Sequence, residues 1–302
     1  MRTGLFESGT RPAPLRRSER SQWRSEIATP ASLQIGLLNL MPNKPVTDRQ
    51  FATLLARCGR PVNLLRTLPE GHCPHTTPAE YLAIHYAPWH EVEERPLDGL
   101  IVTGAPIEHL EFEAVSYWPE LTRIFDWTRR EGIALMSVCW AAEAALYHFH
   151  RIEKQVHAEK LFGVYAQTVR AADSDLLAGF GAAFPTPVSR YATIEREALD
   201  RIPGLQVLAD SSVGGVSLVD EPGQAASYML NHLEYEADTI ATEYRRDLAA
   251  GKPTRMPVNY FPRGNLALAP AATWAPYGQK LFANWLDRLL ARRALRHGRR
   301  RR

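Results

Sequence analysis

Residues Ile133-Ala-Leu-Met-Ser-Val-Cys139-Trp-Ala-Ala-Glu-Ala-Ala-Leu146 form an apolar run that stops at a cysteine and continues as an Ala-rich helix former. The pattern predicts a strand, a sharp turn and a helix, with Cys139 at the turn. There the N–H groups of the first helical turn and the helix dipole favour a thiolate. The same N–H groups can hold a developing oxyanion. This is the chemistry of a nucleophile in acyl transfer or hydrolysis. A free cysteine also serves as a small buried core residue, and the segment alone leaves both readings open.

A cysteine nucleophile needs a base, and the base needs an orienting acid. Asn231-His-Leu-Glu-Tyr235 offers both just past an apolar run, Ala225 to Leu230, that reads as a strand. Residues two apart in extended backbone share a face, so His232 and Glu234 could both project toward the Cys139 end of a sheet. The other reading is a surface His and Glu in a loop. Cys73 with His72 and His75 has the composition of a metal site but no second pair at ligand spacing, so a loop is expected there and no metal. His148 and His150 fall at a helix end, where capping or solvent contact is expected. Gly214-Gly215 reads as a turn between strands. No glycine-rich phosphate loop occurs, so nothing points to nucleotide binding.

The elements that must position these residues alternate through the first half. Leu33–Leu40, Pro61–Leu68, Gly99–Gly104 and Ile133–Val138 read as buried strands. Between them lie helical patterns, opened by apparent capping boxes at Thr47/Gln50 and Thr77/Glu80, with Pro78 at a first helical position. Pro119–Arg130 is amphipathic. This alternation implies an α/β fold with a parallel sheet and right-handed crossovers, in which ligands bind at the carboxyl ends of strands. Asn39–Lys44, Thr103–Glu108 and Cys139 all fall at such ends. In the second half, Gly163–Val169, Gln206–Asp210 and Val216–Asp220 read as strands. Asp238–Ala250, with Arg245 and Arg246, and Gly278–Leu295 read as helices.

The chain of 302 residues carries a formal net charge of +3, but its last eleven residues hold seven arginines. Without them it is mildly acidic, with 29 Lys+Arg against 33 Asp+Glu. The organisation read from this is a basic segment over 1–32, one domain over 33–290 and a basic, solvated tail over 291–302. Neither a secretory signal nor a membrane span is apparent. Three widely spaced cysteines are not a disulfide framework and fit a reducing cytoplasm. No nucleic-acid motif is present.

Several strings in order resemble the homoserine O-acyltransferases of the transsuccinylase type. They are Leu38-Asn-Leu-Met-Pro42, Asp98-Gly-Leu-Ile-Val-Thr-Gly-Ala-Pro106, Val138-Cys-Trp-Ala141, Glu159-Lys-Leu161, Ser189-Arg-Tyr191, His232 with Glu234-Tyr235, and Asn259-Tyr-Phe-Pro262. The resemblance spans about Leu38 to Leu286. It implies a flavodoxin-like, class I glutamine-amidotransferase-like three-layer fold with a mostly parallel central sheet. The implied reaction moves an acyl group from acyl-coenzyme A to the side-chain hydroxyl of L-homoserine, the activating step of methionine synthesis. No cofactor is implied; acyl-CoA is a co-substrate.

Matched by position, the resemblance makes Cys139 the nucleophile, His232 the base and Glu234 its orienter. It places Lys44 and the Trp140 N–H at the oxyanion, and Lys160, Ser189 and Arg246 at the acceptor. It also implies a homodimer. At residue 108 the family separates donors: Gly goes with succinyl-CoA and Glu with acetyl-CoA. Glu108 therefore favours acetyl, since a carboxylate there fills and repels the space of a succinyl carboxylate. The usual Gly-His-Pro-Glu-Tyr is Asn231-His-Leu-Glu-Tyr here, which could aim His232 differently. A succinyl donor, a serine acceptor, a glutaminase-type amidase and a non-catalytic binding protein are the competing readings.

Overall fold

The computed structural model describes residues 32–72, 74 and 76–300. In chain order the elements are β1 (Leu33–Leu38), α1 (Lys44–Arg57), β2 (Val62–Leu68), α2 (Ala79–His85), β3 (Ala87–Pro88), α3 (Trp89–Glu93), β4 (Gly99–Val102), α4 (Trp118–Glu131) and β5 (Ala134–Val138). There follow α5 (Trp140–His150), β6 (Lys154–Val169), β7 (Ala183–Ile194), α6 (Arg196–Asp200), β8 (Gln206–Ser211), β9 (Gly215–Glu221), β10 (Ala226–Met229), α7 (Thr239–Ala249) and α8 (Ala275–Arg300).

All ten strands join one sheet in the order β3-β2-β1-β4-β5-β10-β9-β8-β6-β7. From β3 to β10 every pairing is parallel. From β10 to β7 every pairing is antiparallel. The parallel half is the expected α/β core, and the antiparallel wing extends it. Ile35, Leu37, Met136 and Val138 pack with Phe51 of α1 and with Phe282 and Trp285 of α8. Leu38, Leu100, Val102 and Leu135 pack on the other face with Phe125 of α4 and Leu146 of α5. The layers are thus helix, sheet, helix. Apart from Gln34 and Ser137, residues of β1, β4 and β5 are apolar without alternation because both their faces are covered.

Several local expectations are corrected. α1 begins at Lys44 behind Asn43 with no side-chain cap; Thr47 lies inside its first turns and Gln50 donates to Thr239 Oγ1. α2 is likewise uncapped, with Pro78 at the cap position and Thr77 Oγ1 donating to the Pro42 carbonyl. β6 starts well before Gly163, and β7 was not anticipated. The first half of β6 is largely exposed and lacks an apolar run. β7 contains Pro185 and Pro187, which argue against a strand except at a sheet edge, where β7 lies. His148 and His150 are paired to Asp126 and Glu221 at 2.7 and 3.1 Å.

α8 runs beyond Leu295 to Arg300. Of the basic tail, Arg293 donates to Asp98 Oδ1 at 2.8 Å, and Arg292 and Arg296 donate to the Gly132 carbonyl. Cys73 and His75 lie outside the described residues. No helix of the described residues is long and apolar enough to cross a membrane.

α8 also touches the segment after β10. A Cβ on Gly278 would lie 2.3 Å from the Leu233 carbonyl oxygen, a backbone atom next to His232. Gly→Ala inside a helix ordinarily stabilises by about 0.5–1 kcal/mol. Here the overlap reverses the sign. Gly278→Ala is expected to destabilise by about 1–3 kcal/mol, read as a lower urea midpoint; a raised midpoint would refute the close approach.

Candidate active site

β5 delivers Cys139 to the carboxyl edge of the parallel strands, and α5 starts at the next residue. Cys139 has φ 52° and ψ −121°, a left-handed conformation rare for a side-chain-bearing residue. Its N–H donates to Met229 O at 2.7 Å, and its carbonyl accepts from Ala142 N at 2.9 Å and Glu143 N at 3.2 Å. Gly104, two residues after β4, packs closely on this turn: a Cβ there would sit 3.0 Å from Cys139 Cβ. Trp140 is the first residue of α5, so its N–H has no carbonyl partner within the helix.

His232 follows β10 and faces this turn. Its Nδ1 lies 2.6 Å from Glu234 Oε1, both side chains being buried. Its backbone N–H donates to Pro187 O at 3.0 Å. The ring stacks on Tyr235 with centroids 4.2 Å apart and planes at 18°. Trp274 Nε1 donates to Tyr235 O at 2.7 Å and fixes the far end of the segment.

Burial pulls the imidazole toward neutrality, but Glu234 and the facing Cys139 more than reverse this and raise His232 well above its usual value. Burial raises the Cys139 thiol, which His232 opposes and Glu108 and Glu143 reinforce. The ionisation of Cys139 is thus tied to the proton on His232.

A cavity of about 330 Å³ opens in front of the pair. Cys139, His232, Glu108, Lys160, Ser189 and Arg246 all line it. Glu108 is 7% exposed, so it is a wall of the cavity and not a solvated side chain. Burial raises its carboxyl, with its own backbone N–H, Lys160, His109 and His232 acting against the shift. Lys160 lies between Glu243 Oε2 at 3.3 Å and Asp247 Oδ2 at 3.2 Å. Ser189 Oγ donates to Glu243 Oε2, and Tyr235 OH donates to Glu243 Oε1 at 2.6 Å. Arg246 donates to Asp247 Oδ1 at 2.9 Å and keeps more than half of its side chain exposed at the rim.

Burial raises Glu243, but Lys160, Ser189 and Tyr235 outweigh it and hold the carboxyl below its usual range. Lys44 lies behind the wall: its ammonium donates to Asn39 O at 2.6 Å and Met41 O at 3.3 Å, and Met41 lines the cavity. Burial lowers Lys44 to about 8, against the pull of Asp48.

Glu243 and Asp247 were not singled out from the sequence. Their signal was their spacing: on α7 they lie three residues before and one after Arg246, so Glu243 shares a helix face with both Arg246 and Asp247. Glu143, one turn after Cys139, was also passed over. It is 1% exposed, and neither carboxyl oxygen has a hydrogen-bond partner among the described residues. Burial pushes it up to about 8, with Arg190 opposing and Glu108 adding to the shift.

Folded Glu143 therefore keeps its proton up to about pH 8, whereas the unfolded chain releases it near 4.5. Between these values the folded state binds the extra proton, so stability falls as pH rises. Glu143→Gln is expected to remove this slope. Urea unfolding at about pH 5.5 and about pH 8 should show the variant gaining on the parent at the higher pH. A pH-independent difference would show that Glu143 is not held protonated.

Residues 19–294 match the homoserine O-succinyltransferase family. The homoserine O-acetyltransferase of Allorhizobium ampelinum is 44% identical over 257 residues, covering 85% of this chain and 83% of that protein. That of Brucella canis is 40% identical over 257 residues, with 85% and 84% covered. Among solved structures, a glutamine amidotransferase from Thermotoga maritima superposes with a TM-score of 0.57 at 10% identity, covering 86% of this chain and 98% of that one. One from Methylobacillus flagellatus gives 0.56 at 13%, with 85% and 94% covered. At such identities the likeness is one of fold: the mostly parallel, three-layer architecture is that of the class I glutamine amidotransferases. The chain belongs to the homoserine O-succinyltransferase family and is an acyltransferase of that family.

Proposed function

We propose that the protein transfers an acetyl group from acetyl-CoA to the side-chain hydroxyl of L-homoserine through a thioester on Cys139, for methionine synthesis. The observation that carries this reading is the buried Cys139, His232 and Glu234 set facing a cavity whose wall includes Glu108. Family membership and relatives named homoserine O-acetyltransferase support it.

In the first half-reaction His232 takes the Cys139 proton and the sulfur attacks the donor carbonyl. A new C–S bond forms, the bond to coenzyme A breaks, and the proton passes from His232 to the departing thiolate. The Trp140 N–H, free of a helical partner, is suited to the oxyanion. Lys44 adds positive charge from behind the Asn39–Met41 loop. In the second half-reaction His232 takes the homoserine hydroxyl proton, oxygen replaces sulfur on the acyl carbon, and the proton returns to Cys139. Glu234 keeps the ring oriented and stabilises it when charged. At the rim, the half-exposed Arg246 suits the acceptor carboxylate as a bidentate partner. Lys160 and Ser189 line the same wall, held by Glu243. Enclosure matters, because water reaching the thioester would make the enzyme a hydrolase.

Donor choice rests on Glu108. The carboxyl is already buried, so a second carboxylate brought beside it by a succinyl group meets both steric overlap and like charge, whereas an acetyl methyl meets neither. Free-thiol release with L-homoserine is the assay. Acetyl-CoA should turn over and succinyl-CoA should lag; Cys139→Ala should lower the rate by at least about 10³-fold. Glu108→Gly should raise the succinyl-to-acetyl ratio by about 10²-fold, equivalent to a few kcal/mol of like-charge juxtaposition. A succinyl preference in the parent protein would sink the Glu108 argument and leave the family standing. Release that depends on L-serine but not on L-homoserine would reassign the acceptor. Ammonia release from glutamine with no thiol release would favour an amidase.

A further inference from the structure

Arg190 is 1% exposed and sits on β7 between Ser189 and Tyr191, both of which line the cavity. Alternation along the strand turns its side chain away from the cavity. Its guanidinium makes four hydrogen bonds: Nη1 donates to Ala192 O at 2.9 Å, Nη2 to Gly214 O at 2.7 Å and Val216 O at 3.3 Å, and Nε to Asn231 Oδ1 at 3.2 Å. It has no salt bridge with a carboxylate among the described residues; the acid that acts on it most strongly is Glu143, on the helix that begins behind Cys139. A buried cation without an ion-pair partner is costly, and an apolar side chain would fill the space more cheaply. One of its four contacts leads directly to the site, since Asn231 immediately precedes His232.

We propose that Arg190 is a positioning residue for the base: it fixes Asn231, and through it holds the His232 ring at the depth where it meets Cys139. β7 then grips this segment twice, through Pro187 O on the His232 N–H and through Arg190 on the Asn231 side chain. The same strand carries Ser189, so the acceptor wall and the base are set by one element. Arg190 is also coupled electrostatically to Cys139, so its charge lies near the sulfur whose ionisation His232 controls. The chain uses Asn at a position where a residue without a side chain would leave Arg190 Nε without this acceptor.

This inference rests on Cys139 and His232 acting as a pair, but not on the identity of donor or acceptor. The test therefore uses no substrate. Cys139 alkylation by iodoacetamide is followed against pH, with the modified peptide identified by mass; the Cys58 thiol, pushed up to about 11 chiefly by burial, should react slowly. Arg190→Lys, Asn231→Ala and the double variant are compared, with His232→Ala as control and circular dichroism confirming the fold. Each single variant should slow neutral-pH alkylation by about 10- to 100-fold, the scale of a 1 Å misplacement, and shift the profile. The double variant should be no slower than the slower single.

Folded Asn231→Ala with the parent profile would overturn the proposal, as would an Arg190→Lys profile that is unchanged, or effects that multiply in the double variant. Should Arg190→Lys fail to fold, Asn231→Ala decides alone, because it leaves the three carbonyl contacts in place. If His232→Ala alkylates as the parent does, the pairing of Cys139 with His232 fails, and with it the basis of the proposal.

Discussion

The backbone at Cys139 is held in a left-handed conformation between a strand and a helix, at a cost on the order of 1–3 kcal/mol. The surrounding packing over-determines it. The segment after β4 supplies Gly104, where a Cβ would crowd Cys139 Cβ at 3.0 Å, and Met229 of β10 accepts the Cys139 N–H. α5 cannot drift, because Trp140 to Leu146 are buried without exception. The turn aims the sulfur at the cavity and leaves the first N–H groups of α5 beside it. Parallel strands place Thr103–Glu108 and the segment after β10 at the same edge, so the positions of Cys139, His232 and the Glu108 wall follow from one topological choice.

The site contains more buried charge than a hydrophobic core tolerates, and it is balanced unevenly. Glu243 collects a cation, a serine hydroxyl and a tyrosine hydroxyl and is kept ionised. Asp247 is shared between Lys160 and Arg246. These groups are partnered and therefore rigid. One turn after Cys139, Glu143 has no hydrogen-bond partner among the described residues and is held neutral, and Arg190 is bonded to carbonyls and the Asn231 carboxamide but to no carboxylate among them. The partnered acids line the cavity beside Lys160 and Ser189, while Glu143 lies one helical turn from Cys139, where a change in its protonation alters the charge that the sulfur experiences.

The parallel core was legible because its strands are short apolar runs separated by helical periodicity, and such runs have little else to become. The junction at Cys139 was legible for the same reason. The antiparallel wing was not. β7 carries two prolines, which are tolerated only because the strand is an edge, and edge status is a property of the assembled sheet. The apparent capping boxes failed because Thr47 sits inside α1 and bonds back to the Asn43 carbonyl, while Gln50 and Thr77 bond Thr239 and the Pro42 carbonyl instead. Cys139, His232 and Glu234 stand out together because they match the strings of a family. The polar residues that hold them, Glu243, Asp247 and Arg190, lie on α7 and β7 and meet only when those elements fold together.

Asn231 shows how a departure from a family pattern can be absorbed. A residue with a side chain where the pattern has none restricts the backbone before the base, and losing a proline after it removes a constraint. The structure compensates on both sides. Arg190 holds the Asn231 carboxamide on one side, while Gly278 lets α8 close onto the Leu233 carbonyl on the other. The rigidity that the pattern obtains from proline within the loop is obtained here from contacts outside it. The aim of His232 thus depends on how β7 and α8 pack against the loop, and core substitutions far from the cavity acquire a route to the pairing of His232 with Cys139.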